Sequence, residues 1–335
     1  MIERINWIDW AKFFAITLVV MGHLPMEHGH PLIVYINCFH MPLFMFLSGY
    51  LTKRQDSFAA NWKKDWTGIV LPFLLYNLIL YPYWAIKTYS IGTPITFVNY
   101  IVNPILGVAS LSLLHGLVNG PTWFLVALFF SRVVLDISTH LKYKKTLLLL
   151  FALTLFILYE INEYYVFTDK LVFIGFARCF PFFLLGHFLK GKIIPSRYSN
   201  GSIYLTMLLS TAISITLSLY LYDISSFVIR IQVQLIICIN AIISFICLSI
   251  CLNPIKWNVA VNISIGTIVI FGLHWVCIGS FNMLLQHLLD IEHIKYNIWQ
   301  VPLLAIVIEA ILYPLILTLP PMWLGKRKEI AAQIK

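Results

Sequence analysis

The stretch Arg4–Leu24, RINWIDWAKFFAITLVVMGHL, decides how the rest of the chain is read. It starts polar, turns apolar at Phe13, and carries Asp9, Lys12 and His23. Lys12 and His23 are eleven residues apart. At about 100° per residue this separation is three turns plus ~20°, so both side chains project from one face of a helix. At ~1.5 Å per residue they stand about 16 Å apart along its axis. A cation towards one end of an apolar helix and an imidazole towards the other read in two ways. One is a track, with Lys12 holding an anionic group at a water interface and His23 doing chemistry deeper in. The other is a snorkelling lysine and a helix-end histidine.

The surrounding composition sets the solvent. Of 335 residues, 60% are apolar and only 11% are charged, and mean hydropathy is +0.86. A soluble domain of this length needs far more polar surface, so the chain reads as an all-α, polytopic integral membrane protein. Ten spans are predicted, at about 11–24, 32–51, 67–86, 121–137, 146–160, 171–189, 203–222, 228–250, 263–286 and 298–323, forming one transmembrane domain over 1–335. Each is long enough for ~30 Å of hydrocarbon. The apolar region 95–118 is broken by Pro94, Pro104, Gly107 and Gly116 and reads as a re-entrant or interfacial piece.

The formal charge of +9 would suit nucleic acid. Its distribution excludes that partner, because the cations sit in short loops between apolar spans, as in an orientation signal. Lys53, Arg54, Lys63 and Lys64 follow span two, and Lys142, Lys144 and Lys145 follow span four. Lys190, Lys192 and Arg197 follow span six, Lys256 follows span eight, and Lys326, Arg327 and Lys328 lie in the tail. The odd loops hold Glu27, Glu160, Glu163, Asp169, Asp223, Asp290 and Glu292. Both termini are therefore expected in the cytoplasm, with an even number of spans. The first apolar stretch ends at His23 and Pro25 without a small-residue cleavage site, and so reads as a span rather than a leader. All six cysteines fall in apolar runs with no completing ligand nearby, and no metal is expected.

Polar groups inside spans are costly, so each needs an explanation. Span two carries His40 in NCFHMPLFMFLSGYL. Pro42, just beyond, frees a backbone carbonyl and kinks the helix. Ser48 and Gly49 near its inner end allow close backbone approach. Arg178 lies in span six, in FARCFPFFLLGHFL. Its guanidinium must meet a carboxylate, a phosphate or a watery cavity, and Glu309 in span ten is the structural alternative. Trp123 opens span four either as an interfacial anchor or as a stacking surface for a sugar ring. Arg132, near the inner end of that span, either meets a cytosolic anion or snorkels. His274 sits mid-span nine, in FGLHWVCIG.

Asp9-x-x-Lys12, ten residues, then His23 resembles the first-helix signature of the membrane acyltransferase-3 family: an Asp, an Arg or Lys, ten residues, and a His. FHMPLFMFLSGYL resembles the family's second-helix element, an aromatic-rich run ending in Ser-Gly. WFLVALF at Trp123, RCFPFFLLG at Arg178 and GLHW at His274 resemble later landmarks, with decreasing specificity. The resemblance covers nearly the whole chain and is closest to sugar O-acetyltransferases typified by fucose 4-O-acetylase-like proteins. Lys12 departs from the frequent Arg and loses bidentate phosphate geometry. No esterase-like domain is appended, so onward transfer is expected to need a separate protein.

The resemblance implies acetyl-CoA as the acyl donor on the cytoplasmic side and a sugar hydroxyl as acceptor on the outer side. The protein would then work in the cell inner (plasma) membrane, on a surface or exported glycan or its lipid-linked precursor. Lys12, Asp9, Ser48 and Arg132 are the candidates for holding the coenzyme, with Asp9 orienting Lys12 three residues away. His23 is the candidate general base. His40 and Arg178 are candidates to orient substrate or stabilise the oxyanion. Trp123, His274 and Glu309 are candidates for the acceptor. Direct transfer and an acetyl-histidine relay both stay open. Lys12 and His23 are expected to share one cavity open to both compartments. The alternatives from other classes are a transporter or flippase for a polysaccharide precursor, or a non-enzymatic export or synthase subunit.

Overall fold

Apolar runs of this length become helices because hydrocarbon leaves the backbone no other hydrogen-bond partners. The computed structural model describes residues 4–27, 30–55, 57–111, 117–139, 141–166 and 168–325, without the side chains of 163, 164, 171, 172 and 222. Gly116, the Glu163 side chain, Lys326, Arg327 and Lys328 therefore lie outside the described residues. The helices are α1 (Asn6–His23), α2 (Pro31–Leu51), α3 (Phe58–Asp65), α4 (Leu71–Ser90), α5 (Asn103–Ser110), α6 (Trp123–Ser138) and α7 (Lys144–Tyr165). They continue with α8 (Leu171–Leu189), α9 (Asn200–Tyr220), α10 (Phe227–Cys251), α11 (Asn258–Ile265), α12 (Thr267–Leu289) and α13 (Gln300–Thr318). No strand occurs among the described residues.

Eight helical segments among these residues are long and apolar enough to cross a membrane. One is the 33-residue rod Phe58–Ser90, in which a π-helical turn at Trp66–Val70 joins α3 to α4. The two other predicted spans fall on α1, which carries Asp9 and Lys12, and on the shorter apolar α8. The predicted span 263–286 is not one helix. Gly266 breaks it into α11 and α12, and a Cβ there would lie 2.4 Å from Ile316 of α13. The region 95–118 contains α5, led by a π-helical turn at Val98–Val102.

The bundle is tied at two places that bear on the site. The first is a reciprocal glycine contact between α2 and α8. A Cβ on Gly49 would lie 1.9 Å from the Phe183 carbonyl oxygen, and one on Gly186 would lie 2.0 Å from that of Phe46. Only glycine permits this backbone approach. The second is α1, which packs against α2, α10, α11, α12 and α13 and buries Ala11, Ala15, Ile16, Val19 and Val20 among them. Loops after even spans meet at one end: Lys190 Nζ donates to the Thr52 carbonyl at 2.7 Å, and Asn6 Nδ2 to that of Asn253 at 2.6 Å.

Gly49→Val and Gly186→Val are each expected to cost about 3 kcal/mol or more, because a backbone carbonyl cannot yield as a side chain does. Gly201→Ala, with nothing within 4 Å of the added Cβ, is expected to leave the detergent melting temperature unchanged. Thermal unfolding of the three variants beside wild type checks this.

Candidate functional site: a cation-lined cavity and a histidine cluster

Lys12 projects from α1 into a cavity of about 540 Å³. Ser48, Gln55, Lys64, Thr67 and Arg132 line its polar part, and Phe44, Phe124 and Phe271 line its apolar part. Ser264, Thr267 and Ile268 complete one wall, so the break at Gly266 sets the start of α12 against the cavity. The first N–H groups of a helix have no intrahelical acceptor and carry the positive end of its dipole. Among the described residues no carboxylate lines this space. Cations and a helix N-terminus without a lining anion make a site for a polyanion.

The surrounding charges show which cation is free. Arg132 Nη1 lies 2.8 Å from Asp65 Oδ1, and Arg54 Nη1 lies 2.6 Å from Asp65 Oδ2. Arg54 Nε lies 2.9 Å from Asp136 Oδ1, which also accepts from Asn61 Nδ2 at 3.2 Å. Two arginines and two aspartates thus balance and hold Arg132 at the cavity edge. Lys12 takes part in none of the ion pairs among the described residues.

Among the described residues Asp9 forms no ion pair with Lys12, although spacing places the two one turn apart. It receives Arg4 Nε at 2.6 Å and Nη2 at 2.9 Å, and Ser264 Oγ at 2.6 Å. The planar guanidinium matches both carboxylate oxygens, which an ammonium three residues along cannot do. Asp9 therefore ties α1 to α11 beside the cavity and is not among the residues lining it.

At the far end of α1, His23 meets His274 of α12, with ring centroids 4.9 Å apart in an edge-to-face arrangement. His40 of α2 approaches beside Gly22, whose added Cβ would lie 3.9 Å from His40 Cε1. In each ring Nδ1 faces a carbonyl one turn back: His23 to Val19 at 2.8 Å, His40 to Ile36 at 2.7 Å and His274 to Ile270 at 2.9 Å. A carbonyl only accepts, so Nδ1 bears the proton and Nε2 of each neutral ring presents a lone pair. The Nε2 of His274 is buried without a partner. Among the described residues no three His, Cys, Asp or Glu side chains are grouped as a metal site.

Three of the candidate residues have structural partners. Arg178 makes no hydrogen bond to the histidine cluster among the described residues. Its Nη2 donates to the carbonyls of Asn37 at 2.5 Å and Cys38 at 3.2 Å, and its guanidinium sits over Tyr159 at 5.8 Å. Cys38 is four residues before Pro42, which has no N–H to offer it, so Arg178 serves the carbonyl that Pro42 leaves bare. Glu309 pairs neither with Arg178 nor with acceptor-site residues; it accepts from Thr17 Oγ1 at 2.8 Å and joins α13 to α1. Trp123, half-buried, packs on α8, where a Cβ on Gly175 would lie 2.0 Å from its ring, and so anchors α6 to α8.

The shared cavity is also not as expected, for His23 is absent from the lining of the Lys12 cavity. Phe124 and Phe271 pack at 5.2 Å and Phe44 and Phe124 at 5.8 Å, and Phe271 lies 6.0 Å from His274. These rings stand between the cations and the histidines. Sequence reasoning missed them, along with Ser264, Thr267 and the Arg54–Asp65–Asp136 set. Gly266 was the one available signal for the helix start.

Membrane-length helices around a buried cationic cavity and a histidine cluster define a multi-pass membrane protein with an intramembrane polar site. The chain belongs to the acyltransferase-3 family, whose model, described as an acyltransferase domain, matches residues 5–319. Over 143 residues it is 28% identical to nodulation protein NolL of Mesorhizobium japonicum, a match covering 39% of this chain and 35% of that protein. The chain thus matches about a third of this relative's length. No solved structure matches it.

Arg178→Met is expected to cost about 2 kcal/mol or more by leaving the Cys38 carbonyl of α2 unpaired. Arg178→Lys should recover part of this. Melting temperatures in detergent test it, and an unaltered Arg178→Met protein would contradict the capping role.

Proposed function

We propose that the protein is a membrane O-acetyltransferase. It moves the acetyl group of cytoplasmic acetyl-CoA to a sugar hydroxyl of a surface or exported glycan, or of its lipid-linked precursor. One observation carries this reading: an unpaired Lys12, in a cavity with no lining carboxylate, shares its helix with the tautomer-set His23 eleven residues on. Family membership supports acyl transfer as the chemistry. The loop charges support a plasma-membrane protein whose cavity end, with Lys53 and Lys64, faces the cytoplasm.

In this reading Lys12, Arg132 and the start of α12 hold the coenzyme phosphates, as a point charge, a guanidinium and the positive end of a helix dipole. Ser48 adds a hydroxyl. The pantetheine arm extends along α1 over the ~16 Å that separate Lys12 from His23. His23 Nε2 takes the proton of the acceptor hydroxyl as that oxygen attacks the thioester carbonyl. A carbon–oxygen bond forms, the carbon–sulfur bond breaks, and the imidazolium returns its proton to the departing thiolate. His40 and His274, each presenting an acceptor nitrogen, orient sugar hydroxyls rather than an oxyanion.

Purified protein in liposomes, given acetyl-labelled acetyl-CoA and candidate glycans, tests the assignment. His23→Ala is expected to lower kcat by ~10²–10⁴-fold, the usual contribution of a positioned base. Normal transfer by that variant would remove the reading. Lys12→Ala is expected to raise KM for acetyl-CoA by about tenfold with a smaller change in kcat, as for lost ground-state binding. Lys12→Arg should restore it, since it keeps the charge.

A further inference from the structure

We propose that Trp275 and Lys87 form the acceptor subsite, and that they take a sugar bearing an anionic group, a carboxylate or a phosphate ester. This rests on reading the protein as an acetyltransferase acting on sugars. Trp275 follows the fully buried His274 on α12 and is itself 37% exposed. Lys87 Nζ lies 5.9 Å from the centre of the Trp275 ring. Lys87 takes part in none of the ion pairs among the described residues. Lys64, on the same helical rod, lines the Lys12 cavity, and Lys87 comes twenty-three residues later. At ~1.5 Å per residue the two stand about 35 Å apart along the rod. Lys87 therefore serves the end of the bundle away from the coenzyme phosphates.

The Trp275 ring rests on a fixed support. A Cβ on Gly120 would lie 3.0 Å from it, so the glycine lets the ring sit against the backbone. Asn119 Nδ2 donates to the Gly272 carbonyl at 2.9 Å and pins that turn to α12 one helical turn before Trp275. The rest of the ring is open. It offers apolar area to the C–H face of a sugar and an electron-rich face to a cation. A cation–π contact at an exposed site is weak, so it leaves the Lys87 ammonium able to take a carboxylate or phosphate as partner. Asn119, next to Gly120, and His274, next to Trp275, each keep a buried acceptor, Oδ1 and Nε2, with no donor among the described residues. A sugar supplies O–H donors of the kind both atoms lack, which a hydrocarbon chain does not. Stacking area, a cation and bare acceptors are the needs of one ligand class, and they converge beside His274, whose ring meets that of His23 at 4.9 Å.

The test is transfer from labelled acetyl-CoA by the full chain in liposomes to three acceptors: a neutral oligosaccharide, the same one carrying a uronic-acid carboxylate, and the same one joined to a lipid through a phosphate ester. Wild type is expected to favour at least one anionic acceptor over the neutral one by about tenfold or more in kcat/KM, and the favoured acceptor tells carboxylate from phosphate. Lys87→Gln should abolish that preference and Lys87→Arg should keep it, with KM for acetyl-CoA unchanged in both. Lys87 is exposed, so neither change opens the core. Trp275→Leu should raise KM for all three acceptors about tenfold, and Trp275→Phe should recover most of this. Equal use of neutral and anionic acceptors by wild type, or a preference that survives Lys87→Gln, overturns the assignment. So does a rise in KM for acetyl-CoA in place of the acceptor. If wild type transfers acetyl to no acceptor, the acetyltransferase reading fails and this assignment falls with it.

Discussion

Hydrocarbon solvates no charge, and that constraint orders this structure. Every ionised or strongly polar group drawn into the bundle has to find its partner in protein. Asp9 takes Arg4 and Ser264 and so fixes α1 to α11. Glu309 takes Thr17 and fixes α13 to α1. Arg178 takes two carbonyls of α2 and fixes α8 to the turn before Pro42. The arginines and aspartates at 54, 65, 132 and 136 neutralise each other beneath the cavity. Each pairing joins separate segments, so electrostatic satisfaction and tertiary assembly are one process here. Lys12 stands apart because the same accounting leaves it facing open space. A satisfied charge is explained by architecture, whereas an unsatisfied one at that depth calls for a ligand.

Much of the fold was legible because hydropathy is additive along a segment. Ten apolar runs predict ten spans, and helix covers most of each, although Gly266 interrupts 263–286 and only Gln300–Thr318 of 298–323 is helical. The face shared by Lys12 and His23 was equally legible, since helical phase depends only on spacing. Spacing says nothing about which helix stands opposite. Asp9 sits one turn from Lys12, yet a better-shaped partner, Arg4, claims it. Arg178 and Glu309 have opposite charge and similar depth, yet they face different neighbours. The rings between cavity and histidines escaped notice for the same reason. Each is an ordinary aromatic in an aromatic-rich chain, and only convergence of α2, α6 and α12 brings them together.

The glycines mark another limit. Ser48-Gly49 announces a close approach somewhere, but its counterpart at Gly186 is visible only when both backbones are in place. Gly266 is subtler. A single glycine barely changes the hydropathy of its span, so the run 263–286 reads as continuous. In the fold that residue lies against Ile316, where any side chain would collide, and the helix stops and restarts there. The restart sets the positive end of the α12 dipole, at Thr267 and Ile268, against the cavity that Lys12 lines. A packing constraint on α13 thereby produces an electrostatic feature of the cavity.

The three histidines share one local device with a chemical consequence. Each ring donates through Nδ1 to its own helix, so its tautomer is set without a carboxylate. In a charge-relay arrangement the carboxylate orients the base and also stabilises the imidazolium. A backbone carbonyl orients equally well but carries no full charge to stabilise the cation. In the proposed reading, an imidazolium formed on His23 would therefore gain by losing its proton soon, and a departing thiolate would be a ready acceptor for it. The arrangement suits a reaction whose proton is borrowed and returned within one turnover. It suits less well a mechanism that stores positive charge beside a long-lived intermediate, and among the routes left open by sequence this favours direct transfer over an acetyl-histidine relay.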